Sequence, residues 1–178
     1  MLISILAVIL AATGACAQNE TSTGMLAYST AHRLPRMAAF IEDTGSYRPE
    51  HMNNINVSAV RDFIKRFHEP DSARWFKLKD ASLIVRFDKP GIAFRVAYNR
   101  QGDWIYTMQT YREKQMPRDI RAIVKSKWYD YSITQVHEIE HFEATGSIYL
   151  VYIKDDTCWK ILRVCNGEME VLETINKR

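Results

Sequence analysis

The sequence is poor in cysteine, glycine and proline. Its 178 residues include 3 Cys, 7 Gly and 5 Pro. Three cysteines are too few for a disulfide-stapled scaffold, and so little glycine and proline excludes a linker-rich or collagen-like chain. The patterns G-x-x-x-x-G-K-[ST], G-x-G-x-x-G and G-x-S-x-G are also missing, which removes the usual signatures of nucleotide binding and serine hydrolysis. The apolar content of 47% and charged content of 25% are those of a globular domain.

One apolar run stands at the start of the chain. Residues 1–12 are nearly all apolar, but a bilayer-spanning helix needs about 20 residues. The run ends in Ala15-Cys16-Ala17, a small-x-small pattern that suits signal peptidase. We therefore predict a signal peptide over residues 1–17, a periplasmic or extracellular protein, and no transmembrane segment in the mature chain. A lipoprotein held through Cys16 and an uncleaved membrane anchor are the alternatives.

The rest of the chain alternates between helical and strand periodicity. Residues 18–52 form a weakly patterned extension with one short helix predicted at residues 35–42. Apolar residues then recur at helical spacing after Asn56, a plausible N-cap, and a second helix begins at Pro117. Alternating runs predict strands at residues 73–79, 82–88, 92–99 and 104–112, and again at 133–142, 147–154, 157–164 and 168–175. Asn166-Gly167 predicts a type I′ hairpin.

The order helix–four strands therefore occurs twice. Phe94 and Trp104 in the first half correspond to Tyr149 and Trp159 in the second, at a constant offset of 55 residues. We predict an α+β fold made of a tandem repeat of a helix plus a four-stranded antiparallel sheet. The first repeat covers residues 53–112 and the second covers residues 113–178, and together they pack as one domain.

Several segments in order resemble a known family. They are residues 60–63, 102–107, 116–121, 129–136, 159–160 and 163–170. With these segments, residues 56–173 resemble the PepSY-like, β-lactamase-inhibitor-protein-like (BLIP-like) periplasmic domain family of Bacteroidetes. The resemblance implies a helix-plus-four-stranded-sheet repeat and an envelope or extracellular location. It implies no established reaction, and the inhibitor for which the family is named binds protein through a concave sheet face.

Residues 137–141 match the zinc-hydrolase pattern H-E-x-x-H. The pattern binds zinc only on a helix, where His137 and His141 lie one turn apart and Glu138 polarises the water. The β-branched residues before it favour a strand instead, and on a strand the two histidines stand about 13 Å apart. We therefore predict no metal site, no catalytic residues and no cofactor. A zinc metallohydrolase built on these three residues is a remote alternative. Replacing both histidines with alanine is expected to change stability little.

The placement of charges argues against nucleic-acid binding, and the placement of the two remaining cysteines argues against a disulfide between them. Residues 52–112 carry 11 Lys/Arg and 6 Asp/Glu, whereas residues 113–178 carry 10 and 11. The basic first half suits an acidic partner, but no arginine-rich run or nucleic-acid motif occurs. Cys158 and Cys165 lie seven residues apart in one predicted strand, roughly 23 Å, which is too far for a disulfide.

Aromatic residues in the strands are the candidate binding residues, because a helix covers only one face of a sheet and Tyr and Trp on the other face are typical anchors. They are Trp75, Tyr98, Trp104, Tyr106, Tyr152 and Trp159. For Trp104 and Trp159, which occupy equivalent repeat positions, packing inside the domain is the favoured alternative.

We predict a secreted, non-enzymatic binding module that engages an unidentified envelope or extracellular protein or peptide, with inhibition as one form of that role. An envelope structural protein and a small-ligand sensor are the other candidates.

Overall fold

The computed structural model describes residues 54–68 and 72–177. The predicted signal peptide, the extension at residues 18–52 and the short helix at residues 35–42 lie outside the described residues. The boundaries given for these segments, and the division into two repeats after residue 112, stay predictions.

In the part of the chain that the structure describes, two helices and eight strands follow each other in the predicted order. Helix α1 (Val57–Phe67) precedes four strands, and a 3₁₀ turn, η1 (Glu113–Gln115), and helix α2 (Arg118–Lys127) precede the other four. The strands are β1 (Arg74–Lys77), β2 (Leu83–Lys89), β3 (Ile92–Tyr98), β4 (Trp104–Tyr111), β5 (Ser132–His141), β6 (Ile148–Lys154), β7 (Cys158–Cys165) and β8 (Glu168–Asn176).

Helix α1 has the N-cap that the sequence predicts. The Asn56 side chain accepts a hydrogen bond of 2.9 Å from the backbone N–H of Ser58, which satisfies a donor that has no partner inside the helix. The helix ends where His68 adopts a left-handed conformation with φ of 58° and donates its N–H to the Ile64 carbonyl. Phe63 points from the middle of the helix into the core.

Helix α2 starts one residue later than predicted. Pro117 occupies the N-cap position, and Arg118 is the first helical residue. The predicted apolar face is present, because Ile120 and Val124 are buried.

All eight strands form one antiparallel sheet in the order β1 to β8. Strand β4 pairs with β5, so the two predicted four-stranded sheets are joined into a single one. This confirms the α+β class and the antiparallel pairing, while the origin of the two halves as a tandem repeat stays a prediction. Asn166 and Gly167, with φ of 52° and 81°, form the predicted tight hairpin between β7 and β8.

Both helices pack on the same side of the sheet. Helix α1 covers a cluster of helix and strand residues that includes Phe63, Trp75 and Val96, and helix α2 covers a second cluster that includes Val136 and Leu162. Since side chains alternate along a strand, the other half of them point the opposite way. We call that opposite side, against which neither α1 nor α2 packs, the helix-free face.

The two cysteines that the structure describes are free thiols, Cys158 at the start of β7 and Cys165 at its end. Both thus lie at opposite ends of one strand, as the sequence predicts. Within residues 54–68 and 72–177, no helix is both long and apolar enough to cross a membrane.

Candidate binding face

The helix-free face has an apolar centre, with charged and aromatic side chains around it. Ile84, Met108 and Ile139 lie at its centre on β2, β4 and β5, with exposed fractions of 1%, 5% and 1%. The strand register places the following side chains on this face: Arg74, Phe76, Ile84, Arg86, Arg95, Tyr106, Met108, His137, Ile139, Ile148, Leu150, Tyr152, Trp159, Ile161, Arg163 and Ile175.

The most exposed aromatic residue of this face lies on β7. Trp159 is 38% exposed, and its cross-strand neighbour Ile175 on β8 is 49% exposed. The ammonium groups of Lys154 and Lys177 lie 5.2 Å and 5.6 Å from the centre of the Trp159 ring. Cations at this distance are attracted by the ring quadrupole and hold the indole in place. We call these four residues the Trp159 corner.

The structure divides the six predicted aromatic residues between the two sides of the sheet. Trp75, Tyr98 and Trp104 lie on the helix side, whereas Tyr106, Tyr152 and Trp159 lie on the helix-free face. A binding role stays a prediction for all six, but only the last three share one face.

The helix-side aromatic residues fix α1 to the sheet. Trp75 is 4% exposed and stacks on Tyr98 with ring centres 6.0 Å apart. The Tyr98 hydroxyl donates a hydrogen bond of 3.1 Å to Asp62, which also pairs with Arg66 at 2.7 Å. Burial, followed by the charge of Asp62, raises the pKa of the Tyr98 hydroxyl, so it remains a donor. The guanidinium of Arg66 in turn lies 4.4 Å from the centre of the Trp104 ring.

A β-bulge explains why Trp104 and Trp159, which occupy equivalent positions in the predicted repeat, point to opposite sides of the sheet. Ala97 pairs with Tyr106 and Tyr98 pairs with Trp104, so Ile105 is an extra residue in β4. Side chains alternate along a strand, so one extra residue in β4 shifts Trp104, which precedes it, to the face opposite the one it would have on a regular strand. Trp104 therefore points to α1, while Trp159, on a regular strand, points away from both helices. Trp104 packs against the cluster under α1, as the alternative of packing inside the domain supposes. Trp159 is partly exposed and does not pack in this way.

The H-E-x-x-H residues lie on strand β5, as predicted. His137 and His141 point to the helix-free face, and Glu138 points to the helix side, so the three cannot adopt the helical zinc-binding arrangement. Among the described residues, no three His, Cys, Asp or Glu side chains group closely enough to hold a metal ion.

His137 is built into the sheet. It is 6% exposed, its Nδ1 lies 2.8 Å from the Thr110 hydroxyl, and its Nε2 lies 3.0 Å from the Gln135 amide. Burial, with a smaller contribution from the charge of Arg95, lowers the pKa of His137 to about 4. The ring is therefore neutral near pH 7. Because the ring is buried and both of its nitrogens have partners, its replacement is expected to cost more stability than the sequence alone suggested, which an unfolding experiment would test.

Glu138 accepts three hydroxyl hydrogen bonds on the helix side. They come from Tyr111 at 2.7 Å, Tyr149 at 3.1 Å and Ser147 at 3.2 Å, and they tie β4, β5 and β6 together. Burial, followed by the Glu138 carboxylate, raises the pKa of both tyrosines, that of Tyr149 to about 12. Both phenols therefore stay protonated donors, and Glu138 acts as a structural acceptor.

Several solved structures of Bacteroides proteins have a similar fold. A DUF2874 family protein from Bacteroides ovatus matches with a TM-score of 0.54 and 16% identity, covering 67% of this chain and 86% of that one. A BLIP-like protein from Bacteroides fragilis matches with a TM-score of 0.55 and 13% identity, covering 76% and 91%. A protein from Bacteroides eggerthii, described as a candidate periplasmic protein, matches with a TM-score of 0.53 and 15% identity, covering 67% and 87%.

No protein-family profile matches the sequence, and no curated protein is significantly similar to it. At identities of 13–16% the structural matches establish the fold. They confirm the resemblance to BLIP-like Bacteroidetes domains at that level, while the PepSY kinship stays a prediction. The chain therefore has the fold of BLIP-like and DUF2874 family proteins of Bacteroides.

Proposed function

We propose that this protein is a non-enzymatic binding module of the bacterial envelope or the extracellular space, and that its helix-free face engages a protein or peptide. Export through the predicted signal peptide, with a Cys16 lipoprotein as the alternative, is part of the proposal. So are the kinship with PepSY-like proteins and the repeat origin of the two halves. Inhibition of the bound protein is the form of binding that the fold suggests by analogy.

The Trp159 corner is the observation that carries the proposal. Trp159 and Ile175 together expose apolar surface on a face that neither helix covers. Tryptophan is enriched among the few residues that dominate binding energy in protein interfaces. The flanking ammonium groups of Lys154 and Lys177 favour a partner that brings carboxylates to the same place.

His137 and Glu138, the residues of the zinc-hydrolase pattern that suggested catalysis, make hydrogen bonds within the sheet. His137 is held between Thr110 and Gln135 inside the sheet, and Glu138 accepts three hydroxyl groups on the opposite side. A small-ligand sensor would instead be expected to have an enclosed apolar pocket. Among the described residues, one pocket lies between η1 and α2, and it is lined mainly by charged side chains, among them Glu113, Arg118 and Arg121, so this pocket is not of that kind.

Affinity capture with matched baits tests the proposal. Wild-type protein, Trp159→Ala and Tyr129→Ala are immobilised and exposed to an envelope fraction, and the bound proteins are quantified by mass spectrometry. Tyr129 is the matched control, because it is 79% exposed and lies in the turn after α2.

We expect one envelope protein to be enriched on wild-type and Tyr129→Ala baits and to be displaced by free protein. On Trp159→Ala, its affinity should fall about 30-fold, which corresponds to the loss of an anchor worth about 2 kcal/mol. Equal capture by all three baits would contradict the assignment of this face, and the absence of any displaceable protein would contradict the binding function.

A further inference from the structure

The two edges of the sheet differ in length and in exposure. Strand β1 has four residues, and two of them, Trp75 and Phe76, are buried. Strand β8 has nine residues, eight of them exposed, and among the described strands it pairs only with β7. A short edge strand gives other chains little to pair with, whereas a long exposed one offers a row of backbone N–H and C=O groups. Strand β8 is therefore the edge at which a further strand can be added.

A β-bulge places the acidic side chains of β8 on one face. The register between β7 and β8 shifts next to Ile161, which leaves Leu172 as an extra residue in β8. Because side chains alternate along a strand, residues 170 and 173 would lie on opposite faces without this extra residue. With it, Glu168, Glu170 and Glu173 all lie on the helix-free face.

The charge of this edge favours a basic strand as its partner. Glu170 pairs with Arg163 at 2.7 Å, whereas Glu168 and Glu173 make no ion pair within residues 54–68 and 72–177. Opposite charges at facing positions of neighbouring strands stabilise the pairing, and like charges destabilise it. A second copy of β8 would bring its own glutamates to this edge, so charge disfavours pairing between two copies and favours a strand that carries lysine or arginine.

The apolar residues of β8 extend the match to both faces of the sheet. Val171 is 41% exposed and lies on the helix side, where apolar side chains of an added strand would cover it. Near the end of β8, Ile175 is 49% exposed and is the cross-strand neighbour of Trp159. A strand added to β8 therefore reaches the Trp159 corner, where the two lysines attract a carboxylate.

We propose that β8 binds an extended segment of the partner protein as an additional strand of the sheet. The segment alternates basic side chains, which face Glu168 and Glu173 on the helix-free face, with apolar side chains, which cover Val171 on the helix side. Its end beside Ile175 carries a carboxylate for the Trp159 corner. Backbone hydrogen bonds supply the affinity and the alternating side chains supply the specificity. This inference rests on the proposed function, because it names the part of the partner that is bound.

A synthetic peptide with this pattern tests the strand addition. The probe alternates lysine and valine, is as long as β8 and ends in a free carboxylate, and amide hydrogen exchange of the whole protein is followed by NMR spectroscopy. We expect the peptide to slow the exchange of β8 amides and to leave that of β1 amides unchanged.

The control peptide has the same sequence but is N-methylated at two successive central residues. It keeps the charge and loses N–H donors on both of its edges, so it should not protect β8. No protection by the unmodified peptide at about 1 mM, or equal protection by both peptides, would overturn the proposal.

Charge reversal tests the contact with the glutamates. The variant Glu173→Lys should bind the lysine–valine peptide about fivefold more weakly than wild type, since a cross-strand attraction becomes a repulsion. Glu140→Lys is the matched control, because Glu140 is an exposed residue of β5 on the helix side and makes the same change of charge two strands away from β8. Equal affinities of the two variants would contradict the charge match.

Affinity capture separates this inference from the proposed function. If an envelope protein is captured through Trp159 and Glu173→Lys leaves its affinity unchanged, the strand addition is wrong and the proposed function stands. If the peptide protects β8 but no envelope protein is captured, strand recognition by β8 is supported and only the proposed function is contradicted.

Discussion

Protonation of His137 should destabilise the protein in mild acid. The ring is buried between Thr110 and Gln135, and Arg95 adds a positive charge nearby. Together, burial and Arg95 lower the pKa of His137 from its ordinary value of 6.5 to about 4. The unfolded chain has no such environment, so it binds a proton at this histidine more readily than the folded protein does.

The sign and size of the effect follow from linkage. Because the folded pKa is the lower one, the contribution of His137 to stability is fully present above pH 6.5 and is lost as the pH falls towards 4. Each pH unit in this window corresponds to about 1.4 kcal/mol, so the whole window corresponds to about 3 kcal/mol.

Urea unfolding measured by tryptophan fluorescence between pH 7.5 and 4.5 tests this prediction. The free energy of unfolding of the wild type should fall by about 2–3 kcal/mol more over that interval than that of His137→Gln, which cannot titrate at this position. His68→Asn is the matched control, because it replaces an exposed histidine at the end of α1 and leaves His137 in place. Parallel pH curves for wild type and His137→Gln would refute the assignment of a buried, neutral His137.

Three further predictions follow from the packing. Trp75→Ala should cost about 3–5 kcal/mol in unfolding free energy because the ring is buried under α1, whereas Trp159→Ala should cost less than about 1 kcal/mol; equal losses by urea unfolding would contradict the two-sided division of the aromatic residues. Gly102→Ala should lower the Tm more than Gly167→Ala. Both glycines have positive φ, but only the Gly102 methyl group would come within 2.8–2.9 Å of atoms at the start of α1, so the reverse order in a thermal melt would contradict that contact. Glu138→Gln should cost about 1–3 kcal/mol because an amide offers one acceptor oxygen to three hydroxyl donors, and an unchanged urea midpoint would show that the three bonds contribute nothing.

The elements of the fold were predictable because their signals are local. Helix α1 follows from apolar residues at helical spacing after Asn56, and the β7–β8 hairpin follows from Asn166-Gly167. The strand state of residues 137–141 followed from the β-branched residues around them. None of these requires knowledge of distant parts of the chain.

The make-up of the candidate face depends on pairing between distant strands. Trp104 points to the helix side only because Ile105 bulges when β4 pairs with β3, and the segment carries no local signal of that extra residue. Arg74, Arg86 and Arg95 likewise stand opposite one another on β1, β2 and β3, which only the register of these three strands shows. Only one residue of the Trp159 corner was predicted from the sequence. Trp159 was named as a candidate binding residue, whereas its neighbours Lys154, Ile175 and Lys177 were not.

Hydroxyl-radical footprinting of the captured complex tests the central claim most directly, since it reports which side chains a partner covers. The account predicts that oxidation of Trp159 and Ile175 falls on partner binding, while oxidation of Tyr129 and Val57, which are exposed in the turn after α2 and at the start of α1, stays unchanged. Protection of Tyr129 or Val57 with Trp159 and Ile175 still reactive would show that the partner binds the helix side and would contradict the account.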